Sequence, residues 1–327
     1  MDSKAQPLPS IGFVIMSHAH GPQLARLVAT LNREFAAPPI ACHHDFGQAQ
    51  LDQNLPPNVR IVRPHRRTGW ARWSVVAGAL DALALLYADG GPDWFFLLSA
   101  ADYPSRTGDQ IRSELAASNC DAYIDLRPLD PHDQPRAQII GDGNAKLSHF
   151  DSAGNRAMKK RFYCAPQFWL PIVRLKPRFR IGRYTYRPPL EGRHPFRNGR
   201  ACWYGDHWFT ANRKVAEVIL EQSDWNVALR RHFRTRTQPD EAYYQTLLAN
   251  TAGLVLCRDN RRYAEWHGGG AHPIELSPYE IGDATASNAF FARKFGPISP
   301  AIAELDEVLA ARGQIAQRSI GQGRDRS

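Results

Sequence analysis

The residue types that can move a proton or hold a charged group fall in a few short stretches of this chain. Pro239-Asp240-Glu241 sets two adjacent carboxylates behind a proline, and either could take a proton from a hydroxyl. The same three residues also suit a helix entrance, with Asp240 as its cap and Glu241 favourable to the helix dipole; the sequence leaves both readings open. Arg293-Lys294 is an adjacent pair of cations. A cation about 4 Å from a phosphate is worth roughly 4 kcal/mol at an effective dielectric near 20, enough to matter to a departing phosphate. Asp102 follows the apolar run Trp94 to Leu98, at the kind of strand end where open α/β sheets bind ligands. A carboxylate there can also fix its own loop by accepting backbone N–H bonds. Cys42-His43-His44-Asp45 puts metal-ligating types in a row, but successive strand residues point to opposite faces and do not close on one ion. No Asp-x-Asp pair occurs anywhere in the chain.

Alternating strands and helices must position these groups. Ile11 to Met16 reads as a buried strand, and Leu24, Leu27, Val28 and Leu31 recur at helical spacing behind it. Pro39 to Cys42 and Arg60 to Val62 read as further strands. An apolar helix follows through Val75, Val76, Ala79, Leu80, Leu83 and Leu86, stopped by Gly90-Gly91-Pro92. Trp94 to Leu98 is the most strand-like stretch. Later candidates are helices at Val215 to Leu220 and Glu241 to Ala249, a strand at Leu254 to Cys257, and a last amphipathic helix through Ile302, Leu305, Val308 and Leu309.

The composition sets the outer limits. With 327 residues, 43% hydrophobic and 22% charged, the chain is long enough for a large core, and no apolar run approaches the roughly 20 residues of a membrane span. Met1 to Ser10 lacks the apolar segment of a secretory signal, so the expected location is cytoplasmic. The five cysteines are odd in number and widely spaced, which predicts reduced, packed thiols rather than a disulfide framework. Of a net charge of +9, a net +8 lies between Arg174 and Arg200, where nine basic side chains face the single acid Glu191. Such a segment suits nucleic acid, an anionic membrane face or an acidic substrate, or is simply a solvated loop. No recognised nucleic-acid-binding signature accompanies it, so an enzyme is the stronger expectation.

Eight clusters taken in order resemble glycosyltransferase family 14, the core-2/I-branching β-1,6-N-acetylglucosaminyltransferases and peptide O-xylosyltransferases. They are Ile11 to His18, His43-His44-Asp45, Trp70 to Ser74, Phe96 to Pro104, Gly205-Asp206-His207-Trp208-Phe209, Pro239-Asp240-Glu241, Arg262 to Trp266 and Phe291-Ala292-Arg293-Lys294-Phe295. Each is weak alone, and their order over residues 11 to 295 carries the resemblance. Ala100 stands where the family pattern has glycine, and Asp206-His207 where it has Ser-Gln.

The resemblance implies an α/β protein with a GT-A-like glycosyltransferase fold, a Rossmann-like mixed sheet flanked by helices. One catalytic domain would span residues 11–311, with a basic insert at about 174–200, a flexible stretch at 1–10 and a disordered tail at 312–327. The implied activity is inverting and metal-independent: a sugar, N-acetylglucosamine first and xylose as the alternative, passes from a UDP-sugar to a carbohydrate hydroxyl. β-1,6 branching in surface polysaccharide synthesis is the expected setting, in a soluble bacterial form, with peripheral contact to an anionic membrane as a further expectation. No cofactor or metal is implied. Glu241 becomes the catalytic base, with Asp240 as the substitute if the helix starts a residue earlier. Lys294 and Arg293 become the diphosphate ligands, with His272 as a second candidate because the family's second arginine is missing. Ile15, Asp45 and Trp70 are implied for the nucleotide. Asp102, Trp208 and Trp266 are implied for positioning the sugars.

Overall fold

The computed structural model describes residues 7–51, 54–141, 158, 161–163, 179–181, 184–186, 194–266 and 272–324. Strand β1 (Ile11–Ser17) is buried at every position, as a strand covered on both faces must be. Helix α1 (Gly21–Phe35) turns Leu24, Leu27, Val28 and Leu31 inward. Strands β2 (Ile40–His44) and β3 (Val59–Ile61) then add in parallel on one side of β1. Helix α2 (Trp73–Tyr87) leads back to β4 (Trp94–Ser99), which pairs in parallel with the other side of β1.

Beyond β4 the elements shorten. They are β5 (Asp102–Pro104), α3 (Gly108–Ala116), β6 (Ala122–Tyr123), β7 (Arg127–Pro128), β8 (Gln138–Ile140), β9 (Phe179–Ile181), β10 (Tyr184–Tyr186), β11 (Trp203–Tyr204) and β12 (Thr210–Asn212). Helices α4 (Arg213–Leu220), α5 (Asp224–Phe233) and α6 (Tyr243–Ala249) follow, then β13 (Val255–Cys257), β14 (Arg262–Ala264), α7 (Pro278–Ala286), β15 (Phe291–Arg293) and α8 (Pro300–Arg324). The main sheet runs β3-β2-β1-β4-β12-β6-β13-β8, and β12 is antiparallel to both of its neighbours, so the sheet is mixed. A smaller sheet, β14-β15-β5, stands beside it.

The pleat of β1 divides the core. Phe13 and Ile15 pack with α1, α7 and α8 on one side, while Val14 and Met16 pack with α2, α4 and α6 on the other. The α/β class and the mixed sheet flanked by helices are thus as expected. Three helices were not read from periodicity, although two carry capping boxes: Thr107 with Gln110 at α3, and Ser277 with Glu280 at α7. Helix α8 continues through Gly313 to Arg324, past the point where a disordered tail was expected. At the other end Ser10 is fixed by Asp93, its backbone N–H donating to the carboxylate at 2.8 Å. Most of the basic stretch 174–200 lies outside the described residues, as do residues 1–6. Among the described residues no helix is long and apolar enough to cross a membrane.

Candidate functional site

A cleft of about 660 Å³ opens where β1 and β4 end. Its wall takes Ser17, His18 and His20 from the β1–α1 turn, Ser99 to Ala101 after β4, and Asp206, His207 and Trp208 ahead of β12. Asp240, Glu241, Arg293 and Lys294 add to the polar lining, with Gln23, Gln48, Thr68 and Glu275, and Trp70, Trp266 and His272 stand at it as well.

The β2 end builds one side by hydrogen bonds. His44 Nδ1 accepts from the Ser17 hydroxyl at 3.0 Å while Nε2–H donates to the Ala49 carbonyl at 2.8 Å, the tautomer in which both contacts are satisfied. Asp45 is buried and accepts from the Gly47 and Thr68 backbone N–H groups (2.9 and 2.6 Å), from the Thr68 hydroxyl (2.9 Å) and from the Gln48 amide (2.7 Å). Burial raises its pKa, but these donors outweigh burial and hold the carboxyl at about 2. Asp45 therefore sets the loop that carries Gln48, Thr68 and Trp70 to the cleft. Trp70 itself is 67% exposed, its ring edge-on to His272 at 5.5 Å.

The floor is a set of opposite charges, with Asp102 and Arg262 buried and Asp206 and Arg293 partly buried. Arg293 Nε lies 3.3 Å from Asp102 Oδ1 and Nη1 lies 3.8 Å from Asp206 Oδ1, with the guanidinium 4.7 Å above the Trp208 ring. Asp102 Oδ2 also accepts from the Ser99 N–H at 3.1 Å. Asp206 is anchored through its N–H to Asp125 Oδ2 (3.0 Å), through Asn260 Nδ2 donating to its carboxylate (3.1 Å) and through Gln245 Nε2 donating to its carbonyl (2.6 Å). Arg262 sits close by, donating to the Phe209 carbonyl and the Thr210 hydroxyl, both at 3.1 Å. Burial lowers its pKa to about 10, which leaves it charged at neutral pH. Burial also raises the carboxyls of Asp102 and Asp206, and the two arginines oppose that rise.

Asp240 and Glu241 lie in a single 3-10 turn, Pro239–Glu241, not in the first turn of α6. The helix starts only at Tyr243, because Ala242 leaves helical geometry and the Glu241 carbonyl accepts from the Gly205 N–H at 2.8 Å. Neither carboxylate caps α6. Burial, then the neighbouring Asp240 charge, pushes Glu241 up to about 7; Arg161 and a 2.8 Å hydrogen bond donated by Gln238 pull the other way. Burial, with Asp206 adding to it, pushes Asp240 up to about 6. Asp240 Oδ1 is buried with no hydrogen-bond partner among the described residues.

A family model of the core-2/I-branching enzymes matches residues 13–143 and 178–288. The chain belongs to the core-2/I-branching enzyme family. Among similar curated proteins, xylosyltransferase 1 of Rattus norvegicus is 27% identical over 274 residues, covering 77% of this chain and 29% of the relative. The β-glucuronosyltransferase GlcAT14A of Arabidopsis thaliana is 23% identical over 263 residues, covering 78% of this chain and 52% of the relative. This chain thus spans from under a third to about half of the length of those relatives. Among solved structures, a galactosyltransferase LgtC in complex with donor and acceptor sugar analogs is similar with a TM-score of 0.41 at 10% identity, covering 92% of this chain and 95% of that one.

Of the residues singled out from the sequence, this core-2/I-branching family member brings Trp70, Trp208, Glu241, Trp266, Arg293 and Lys294 to one cleft. Ile15 does not reach it. Its side chain is fully buried in the α1 layer, and Met16 and Ser17 line the cleft from that strand instead. Asp45 and Asp102 stand behind the lining, each organising residues that do face it. Gln48 and Thr68 reach the cleft without any signal in the sequence, while Ser17, His18 and Asp206 lie within quoted clusters but carry no assigned role there. A signal existed for Asp206, a charged residue inside the quoted Gly205-to-Phe209 cluster. Among the described residues no group of three or more His, Cys, Asp or Glu side chains could hold a metal ion.

Gly205 is where this wall is tightest, since a Cβ there would meet the Asp125 backbone carbonyl at 2.0 Å. Gly205→Ala is expected to lower stability by about 1–3 kcal/mol through overpacking, read as a shift in urea midpoint. An unchanged midpoint would show that the Asp125–Gly205 contact relaxes freely.

Proposed function

We propose that the cleft is a glycosyltransferase site that moves a sugar from a UDP-sugar to a carbohydrate hydroxyl, with inversion and without a divalent metal. The observation that carries this reading is Glu241, a carboxyl held near neutrality in the same cleft as Lys294. In the reaction the acceptor hydroxyl gives its proton to the Glu241 carboxylate as its oxygen bonds to the anomeric carbon of the donor. The bond from that carbon to the UDP oxygen breaks, and its electron pair leaves on the diphosphate. A base with a pKa close to the working pH combines a useful unprotonated fraction with the strength to take the proton. Lys294 has no ion-pair partner among the described residues, whereas Arg293 is engaged by two carboxylates. Lys294 is therefore the cation for the departing diphosphate, and its charge acts where negative charge develops. Trp70, exposed and held edge-on by His272, offers a face to the uracil ring. Trp208 and Trp266 offer theirs to sugar rings.

N-acetylglucosamine is the first donor sugar under this reading. Xylose is a second reading, favoured by the similarity to xylosyltransferase 1, and glucuronic acid enters through the plant relative. Hydrolysis of UDP-N-acetylglucosamine, UDP-xylose and UDP-glucuronic acid, measured side by side, separates them; hydrolysis of none would remove the donor assignment.

Two tests address the chemistry. With Glu241 at about 7, kcat/KM should rise with pH through that value as the base loses its proton. Glu241→Gln should reduce turnover about 10²-fold or more and abolish that limb. Its stability has a definite sign. A raised folded pKa means that the favourable contribution is present below the ordinary carboxylate range and lost as pH rises through about 7. Glu241→Gln should thus melt higher than the parent at pH 8 and alike at pH 4. Near-parental turnover in the folded variant would take the base assignment away from Glu241.

The second test is calorimetric. UDP should bind equally with and without EDTA, and Lys294→Ala should weaken UDP far more than uridine. Binding lost in EDTA and restored by manganese would overturn the metal-free reading, and equal losses for UDP and uridine would remove Lys294 from the diphosphate.

A further inference from the structure

A second concavity, of about 420 Å³, lies apart from the cleft residues and is lined by Arg136, Arg197, Arg200, Asp224 and Trp225 among others. The backbone sets where these cations leave the chain. Asn198 and Gly199 both adopt positive φ, 57° and 73°, and the Arg200 N–H donates to the Arg197 carbonyl at 3.2 Å. This is the Asn-Gly pattern of a tight two-residue turn, which fixes Arg197 and Arg200 side by side at its ends. The Asn198 carbonyl accepts from Arg136 Nη2 at 2.7 Å, which draws a third guanidinium to the same turn. Arg136 is itself tied down, its N–H donating to the Ala249 carbonyl at the end of α6.

No carboxylate among the described residues pairs with Arg136, Arg197 or Arg200; Asp224 is the one acid in the lining. The Arg200 guanidinium lies 4.3 Å above the Trp225 ring, and the Trp225 indole N–H is buried with no acceptor among the described residues. Burial, and next the charge of Arg136, lowers the Arg200 pKa, so the like charges are gathered at a cost that an anion would relieve.

We propose that Arg136, Arg197, Arg200 and Trp225 form a second binding site for an acidic sugar unit of the acceptor, one that carries a carboxylate, sulfate or phosphate. The proposal rests on the reading of the cleft as a sugar-transfer site. Planar guanidiniums match such groups with paired hydrogen bonds, and the concavity has the size of a small-ligand site. A nucleic acid would look for open aromatic faces to stack on, but Arg200 already covers a face of Trp225. The position also fits an acceptor. The short segment that contains β11 joins this turn to Gly205-Asp206 at the cleft, and six residues of chain, even fully extended, span no more than about 20 Å. An acceptor chain seated in the arginine pocket could thus lay a hydroxyl of another unit beside Glu241.

The test uses the full chain at low salt and calorimetric titration with oligogalacturonate, a sulfated oligosaccharide, a neutral oligosaccharide of equal length, an oligonucleotide and polyglutamate of equal charge. The expected result is binding of the two acidic oligosaccharides, stronger than of any other probe. Arg197→Gln/Arg200→Gln should weaken it at least tenfold, and Arg136→Gln should weaken it to a lesser degree, with UDP binding and melting temperature unchanged. The carboxylated and sulfated probes tell which anionic group is preferred. Binding of the neutral sugar as tightly, binding unaffected by the arginine variants, or binding of the oligonucleotide or polyglutamate at least as tightly would each overturn the proposal. UDP-sugar hydrolysis is assayed on the same samples. Its absence, with arginine-dependent binding of the acidic sugar intact, would defeat the sugar-transfer reading and leave the pocket standing as an acidic-sugar site.

Discussion

The cleft depends on how few buried cations serve its carboxylates. Asp102, Asp206, Asp240 and Glu241 gather at or beneath its floor; among the described residues Arg262 and Arg293 act on Asp102 and Asp206, and Arg161 acts on Glu241. An ionised carboxylate taken out of water is costly unless it is paired, and all four acids are pushed upward by burial, Asp102 and Asp206 against the opposing pull of both arginines. Both guanidiniums lie with Asp102 and Asp206. Asp240 and Glu241 receive little compensation, and their proton affinities rise into the range where a group can both take and release a proton near neutral pH. The same arrangement that binds the floor together thereby tunes the wall.

Arg293 is also a mechanical link. In the small sheet its backbone is in register with Asp102, and its side chain reaches across to Asp206 on the loop that precedes β12 of the main sheet. The two sheets and the loop are thus tied at one residue. Lys294 follows directly, at the point where the chain leaves β15, and its carbonyl accepts from the Leu276 N–H at 2.9 Å. One cation of the pair is consumed by structure so that the next is presented to the cleft. An adjacent Arg-Lys pair in a sequence does not reveal this division, because both residues read as equally available phosphate ligands.

That limit recurs elsewhere. The first βα units were legible because long apolar runs and helical spacing depend on local pattern alone, from Ile11 through Leu98. The small sheet was not, since β5, β14 and β15 have three residues each and exist only through pairing between distant segments. Helices α3 and α7 are a different case. Their boundaries were written in Thr107-x-x-Gln110 and Ser277-x-x-Glu280, signals stronger than the weak apolar periodicity between them. Among the site residues, Trp70, Glu241 and Lys294 could be found by type and order. Ile15 stands two residues short of the strand end, its side chain buried in the core, and the cleft is lined by the next two residues, Met16 and Ser17. Asp206 and Gln238 matter through contacts with Arg293 and Glu241, 87 and 3 residues away, which only the folded chain supplies.

The chain treats its positive charge in two opposed ways. At the cleft, the Arg293 guanidinium is matched to the Asp102 and Asp206 carboxylates. At the Asn198-Gly199 turn, Arg136, Arg197 and Arg200 have no carboxylate paired with them among the described residues. The two clusters therefore use the same residue type differently: among the described residues, Arg293 is tied to two carboxylates beside Lys294, whereas Arg136, Arg197 and Arg200 share one concavity without such pairs.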